Sequence, residues 1–177
     1  MTAPSTRARA QESKRLHLVL RDGTLVEGSI FIAEDMSLVS FLGSRKGGFI
    51  NMVDARRPKL NETPGHLIAQ SDLVVLVSAP DENMLVVGPA GAGAGEREVE
   101  ITMIGGKTLK GTMYLAPMQR MSDYLAQCGK FAGVVRAQFA ADGVDIGDVA
   151  VNTAAISLIR EFQKPDNAAH HEHPSAL

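Results

Sequence analysis

Residues 16–33 read LHLVLRDGTLVEGSIFIA and residues 99–116 read VEITMIGGKTLKGTMYLA, and the two align without a gap at an offset of 83, from Leu16 to Val99. In that register Gly23 meets Gly106, Gly28 meets Gly111, Ala33 meets Ala116 and Leu42 meets Leu125. With one residue deleted the match resumes at an offset of 82, where Phe49 meets Phe131, Val53 meets Val135, Ala55 meets Ala137, and Val74 and Leu76 meet Ile156 and Leu158. Two glycines, an alternating apolar pattern and the spacing to a distant third segment coincide, which points to duplication of one unit.

The alternation at Leu16–Leu20 and Val99–Met103 has the period of a half-buried strand, and Arg21-Asp22-Gly23 and Ile104-Gly105-Gly106 supply the turn of a hairpin. Gly28 and Gly111 fall inside the second strand. A missing side chain there marks a strong bend or a close backbone approach. Helical spacing follows at Asp35–Leu42 and at Pro117–Ala126, with Pro117 suited to a helix start. A third strand is expected at Phe49–Ala55 and Phe131–Phe139, and closing strands at Leu67–Val77 and Val149–Ile159, with polar loops at Arg56–Gly65 and Ala141–Gly147.

The run GPAGAGAG, residues 88–95, reads as a linker because glycine and alanine offer no side chains to anchor it. Residues 1–15 and 163–177 are polar and read as disordered tails, so the expected units are residues 16–87 and 96–162. A net charge of -2 leaves no global basic field for nucleic acid or anionic lipid, and the absence of tryptophan argues against a stacked aromatic face for single strands. The longest apolar run, Leu73–Val77, is far short of a bilayer span, so no membrane contact is expected. The single cysteine, Cys128, excludes an internal disulfide and suits the reducing cytoplasm.

The string Leu20, Gly23, Gly28, Ile30, repeated as Met103, Gly106, Gly111, Met113, resembles the first conserved segment of Sm-like proteins, which are small, strongly bent five-stranded barrels. The resemblance implies a mainly β fold: two tandem Sm-like barrels, each with a short helix after its second strand. It also implies pairing of exposed edge strands between subunits. RNA-binding members carry an acid six residues after the second glycine and an asparagine four further on. Here those positions hold Glu34 and Leu38 in the first copy and Pro117 and Met121 in the second. The Arg-Gly pair of the second motif is replaced by Gln70-Ser71 and Asn152-Thr153, so the RNA pocket is not implied. Residues 120–125, RMSDYL, are also similar to a segment of uncharacterised bacterial proteins of this general shape.

Arg120, Ser122 and Asp123 can form a small polar site for a ligand or partner at a helix start, although Ser and Asp at such a place more commonly cap backbone N–H groups. Arg45, Lys46, Arg56, Arg57 and Lys59 can contact phosphates, against the commoner reading as solvated loop charge. His170, His171 and His173 have metal-ligand spacing but sit in a tail without supporting groups. His17 and His66 have no acid or nucleophile partner that the sequence identifies. Cys128 has only Lys130 nearby to activate it, which favours an inert thiol. The glycine-rich run lacks the Lys-Ser/Thr of a phosphate loop. No cofactor, metal or catalytic set is expected. The function expected is a non-enzymatic module that contacts a protein partner or assembles with itself through edge strands, with Sm-like RNA binding or small-ligand sensing as alternatives.

Overall fold

The computed structural model describes residues 11–44, 48–80, 86–87, 91 and 93–162. The alternating stretch Leu16–Leu20 lies in β1 (Gln11–Leu20), which turns at Gly23 (φ 81°) into β2 (Leu25–Ala33). There follow α1 (Leu38–Ser44), β3 (Phe49–Arg57), β4 (Glu62–Gln70), a 3-10 turn at Ser71–Leu73 and β5 (Val74–Ser78). The same order returns as β6 (Gly95–Met103), β7 (Thr108–Leu115), α2 (Met121–Gln127), β8 (Phe131–Phe139), β9 (Asp145–Asn152), a 3-10 turn at Thr153–Ala155 and β10 (Ile156–Phe162). A short 3-10 turn at Pro58–Leu60 joins β3 to β4. No helix among the described residues is long and apolar enough to cross a membrane.

The ten strands of the described residues belong to one antiparallel sheet in the order β10-β6-β7-β8-β9-β5-β1-β2-β3-β4. The expectation of two closed barrels is therefore corrected to one continuous sheet that does not close. In each half the fifth strand returns to pair with the first, as β5 on β1 and β10 on β6. The fourth strand does not meet the fifth. The three-residue 3-10 turn between them redirects the chain, so β9 finds its partner in β5 of the other half and β4 is left at an end of the sheet.

The bend expected at the two strand glycines has a physical basis. A Cβ on Gly28 would stand 3.0 Å from the Val53 carbonyl oxygen, and one on Gly111 would stand 2.5 Å from Val134 Cγ1 and 3.1 Å from the Val135 carbonyl oxygen. Opposite each glycine the partner strand bulges, and a non-glycine residue takes positive φ: Asp54 at 50° and Arg136 at 53°. An extra residue on one strand increases local twist, and the missing side chain lets the neighbouring backbone approach the bend.

Several boundaries move. Residues 11–15, expected as tail, pair with residues 29–33, because ladder hydrogen bonds need no apolar side chains. The expected loop at Arg56–Gly65 is largely a hairpin, with Arg56 and Arg57 ending β3 and residues 62–65 opening β4, and β9 likewise starts at Asp145. Gly95, placed in the linker, is the first residue of β6, while residues 88–90 and 92 of the linker and the C-terminal tail lie outside the described residues. Pro117 does not start α2. It sits in a turn closed by the Gln119 N–H to the Ala116 carbonyl at 3.0 Å, followed by Met118 at φ 61°, and the helix opens at Met121.

Replacing Gly28 or Gly111 with valine is expected to lower unfolding stability by about 1–3 kcal/mol through overpacking. Gly43→Ala, in α1 with open space at its Cβ position, is expected to raise it by up to about 1 kcal/mol. Urea unfolding of the three variants checks this. Equal stability of the valine and alanine variants would remove the close-approach explanation.

Candidate functional site

The two halves meet where β9 adds to β5, with Leu76 opposite Val151, Val77 opposite Ala150 and Ser78 opposite Val149. Residues 74–77 of β5 and 149–151 of β9 are apolar and buried on both faces because they lie inside the sheet, with one core on either side. Val75 and Leu76 of the first half pack into the core built around Val99, Ile101, Leu109 and Met113 of the second. Phe131 and Ala150 of the second half pack into the core around Leu16, Leu18, Ile30 and Met52 of the first. The cores interlock, so each half completes the other.

Polar groups close this junction. Asn152 is fully buried, and its Nδ2 donates to the Ser71 carbonyl at 3.1 Å and the Val74 carbonyl at 2.7 Å, while its Oδ1 accepts from the Ala154 N–H at 3.0 Å. A buried amide satisfied on both sides fixes the approach of the strands, since any slip would strand its donors. Beside it the Lys130 ammonium donates to Ser71 Oγ at 2.8 Å and pairs with Asp72 Oδ1 at 2.6 Å. The hydrogen bond from Lys130, with its charge, holds the Asp72 carboxyl below its usual range. Ser71 is buried, and Lys130 of the second half holds both its hydroxyl and Asp72 of the first, so the trio acts as a clamp across the halves.

A crevice of about 210 Å³ opens on the same junction, between the Arg21-Asp22-Gly23 turn of the first half and residues 103–107 of the second. Its floor includes Val19, Val75 and Leu76, and Phe139 forms a wall. Lys107 Nζ stands 5.9 Å from the Phe139 ring centre, and Arg21 reaches the Ala154 carbonyl at 3.5 Å. Asp22 accepts from the Thr24 N–H at 2.8 Å, which lowers its pKa. The chemistry is an apolar floor under a mouth that carries two cations and one engaged carboxylate.

The residues singled out from sequence lie elsewhere. Arg120, Ser122 and Asp123 are exposed on the first turn of α2, and none of them lines the crevice. The N-cap is Arg120, which makes no side-chain cap bond, so capping by Ser122 or Asp123 is also absent. In the first half the cap is Ser37, which accepts from the Ser40 N–H at 3.2 Å. Of the basic cluster, Arg45 and Lys46 lie outside the described residues, Arg56 pairs with Glu27, Arg57 pairs with Glu62, and Lys59 is exposed in a 3-10 turn. Those carboxylates stand on neighbouring strands and neutralise much of the cluster. His170, His171 and His173 lie outside the described residues. Among the described residues no group of three His, Cys, Asp or Glu side chains is placed to hold a metal. Burial pushes the Cys128 thiol up, which suppresses the thiolate, the nucleophilic form.

Sequence reasoning passed over Asn152, Lys130 and Ser71. The available signal was partial: the matching position Gln70 keeps the amide of Asn152 and Thr153 keeps the hydroxyl of Ser71, and only Lys130 against Gly48 differs in character.

Asn152→Ala is expected to cost about 1–3 kcal/mol by removing the amide donor shared by the Ser71 and Val74 carbonyls, and Asn152→Asp more, because a carboxylate would face them. Denaturant unfolding checks both, and full stability in Asn152→Asp would rule out the donor role. Comparison of the chain with protein-family models, with curated proteins and with solved structures finds no match, so its functional reading rests on the junction, the crevice and the sheet edges.

Proposed function

We propose that this chain is a non-enzymatic binding and assembly module that adds a further protein strand, from a partner or from its own kind, to the open edges of its sheet. The observation that carries this reading is the exposure of apolar side chains on the two end strands: Ile68 on β4 and Leu158 on β10 are each 58% exposed. An edge strand offers unpaired N–H and C=O groups, and natural edges are commonly guarded by charge, proline or a bulge. Main-chain bonds to an added strand supply affinity, and alternate side chains supply specificity.

Part of the proposal is descent of both halves from one Sm-like unit, opened and fused edge to edge. Support comes from the shared order of elements, the bulges at Asp54 and Arg136, and the matching bonds Ser71 N–H to Gly48 O and Thr153 N–H to Lys130 O. The reducing cytoplasm is the compartment that fits its single unpaired thiol. RNA binding is the weaker alternative, because Arg56 and Arg57 already have carboxylate partners.

The crevice favours a second reading, sensing of a small amphipathic anion. An apolar body would rest on Val19, Val75 and Leu76 and its carboxylate would face Arg21 and Lys107. Thermal unfolding with phenylacetate tests it: a rise in Tm that disappears in Arg21→Ala/Lys107→Ala supports it, and no rise at millimolar ligand removes it.

For the main reading, the wild-type chain and an Ile68→Lys/Leu158→Lys variant are compared by native mass spectrometry and by pull-down from cell extract. Higher-order species of the chain, or a protein retained by the wild type and lost from the variant, is the expected result. A monomeric wild type with the same captured proteins as the variant would refute it.

A further inference from the structure

The crevice on the junction continues beyond its mouth. It shares Gly105, Lys107 and Phe139 with a second, more open groove of about 660 Å³, which runs along the β6–β7 and β8–β9 turns past Glu100, Ala140 and Asp142. Gly105 lines both, with φ 90° and nothing within 4 Å of its Cβ position, so the missing side chain leaves the passage open. Its counterpart in the other hairpin turn, Asp22, carries a side chain.

Size divides the space into two tasks. The enclosed crevice, about 210 Å³, is smaller than the roughly 300–1,000 Å³ of pockets that bury a whole small-molecule ligand. It has room for one apolar side chain over Val19, Val75 and Leu76, and whatever carries that side chain continues into the groove.

Charge sets the order of groups along the path. Arg21 and Lys107 stand exposed at the mouth, and two carboxylates, Glu100 and Asp142, line the groove beyond it. Asp142 accepts from the Val144 N–H of its own turn at 3.1 Å, which leaves its charge unneutralised. Glu100 faces Lys110 and Arg160 at 3.8 Å each, too far for hydrogen bonds. From the floor outward the sequence is apolar, positive, negative. Its complement is an apolar side chain, an anion beside it, and a cation a few atoms further on.

We infer that the crevice and its groove bind the C-terminal end of a polypeptide, with an apolar last residue on the floor, its α-carboxylate at Arg21 and Lys107, and an upstream Lys or Arg at Glu100 and Asp142. In a peptide terminus the carboxylate and the last side chain leave the same Cα, which matches cations set at the rim of an apolar floor. Capture of a terminal carboxylate is a recurrent mode of peptide recognition. A long-chain fatty acid exceeds the crevice, and a small aromatic acid leaves the groove empty. The inference rests on the reading of the crevice as an anion site, names the ligand, and does not involve the sheet edges.

Fluorescence anisotropy with the N-terminally labelled peptide GSKSF tests it, beside the C-terminal amide of that peptide and the peptide GSESF. The free acid is expected to bind, the amide about 10-fold more weakly through loss of charge-assisted bonds, and GSESF about 2–5-fold more weakly, the scale of exposed ion pairs. Arg21→Ala/Lys107→Ala should erase the difference between acid and amide. Glu100→Gln/Asp142→Asn should keep that difference and erase the preference for lysine. Matching thermal unfolding of the unliganded variants verifies that their folds are intact. Equal binding of acid and amide, no preference for lysine, or a preference untouched by Glu100→Gln/Asp142→Asn overturns the inference. If phenylacetate displaces the labelled peptide and binds as tightly as it does, the ligand is a free small acid: the inference fails and the anion reading stands. Binding of neither at millimolar concentration removes both.

Discussion

Everything else in the molecule depends on the addition of β9 to β5. A strand cannot end a sheet in a buried place without leaving N–H and C=O groups unpaired, at a cost of about 1–3 kcal/mol for each group left without a partner. The 3-10 turns at Ser71–Leu73 and Thr153–Ala155 carry each fourth strand away from its own fifth, so each half is left with open edges. Joining two of them satisfies the backbone of both and lets the side chains of Val75, Leu76, Phe131 and Ala150 cross into the opposite core. Asn152 then locks the joint, because its amide has partners only at this separation and register.

The halves can present those edges because their sheets are bent. At Gly28 and Gly111 the backbone of β3 and β8 approaches to a distance that a side chain would block, and the bulges at Asp54 and Arg136 absorb the extra residue. Positive φ at a non-glycine residue costs of order 1–3 kcal/mol and persists only where surrounding contacts impose it. At Arg136 those contacts are visible: its N–H donates to Asp148 Oδ1 at 2.9 Å, and its guanidinium reaches Thr112 Oγ1 at 3.2 Å and Glu96 Oε1 at 3.1 Å. These bonds hold the bent strand against its neighbours.

The polar groups near the junction are used to join strands. Ser71, Lys130 and Asn152 bond to one another's elements or to backbone carbonyls, and the Cys128 thiol is held up by burial. Exposed apolar side chains include Ile68 on β4 and Leu158 and Phe162 on β10, and the small crevice opens between the hairpin turns.

The sequence by itself determined the first hairpin of each half and the two bending glycines, since alternation at Leu16–Leu20 and Val99–Met103 and the spacing from Gly23 to Gly28 are local facts with local causes, whereas the break of Leu67–Val77 and Val149–Ile159 by 3-10 turns was not legible there. It also singled out the residues whose polarity is conspicuous, and of these Arg120, Ser122, Asp123, Arg56, Arg57 and Lys59 lie away from the junction. Ion pairing of Arg56 and Arg57 with Glu27 and Glu62 was invisible, because it depends on which strands lie side by side. Only the tertiary structure decided that the halves share one open sheet. Whether a fourth strand pairs with its own fifth or with another's depends on the direction of a three-residue turn and on the fit of two cores, and neither is encoded in any periodicity of the chain. The same limit concealed Asn152, an ordinary polar residue until β9 buries it against Ser71 and Val74.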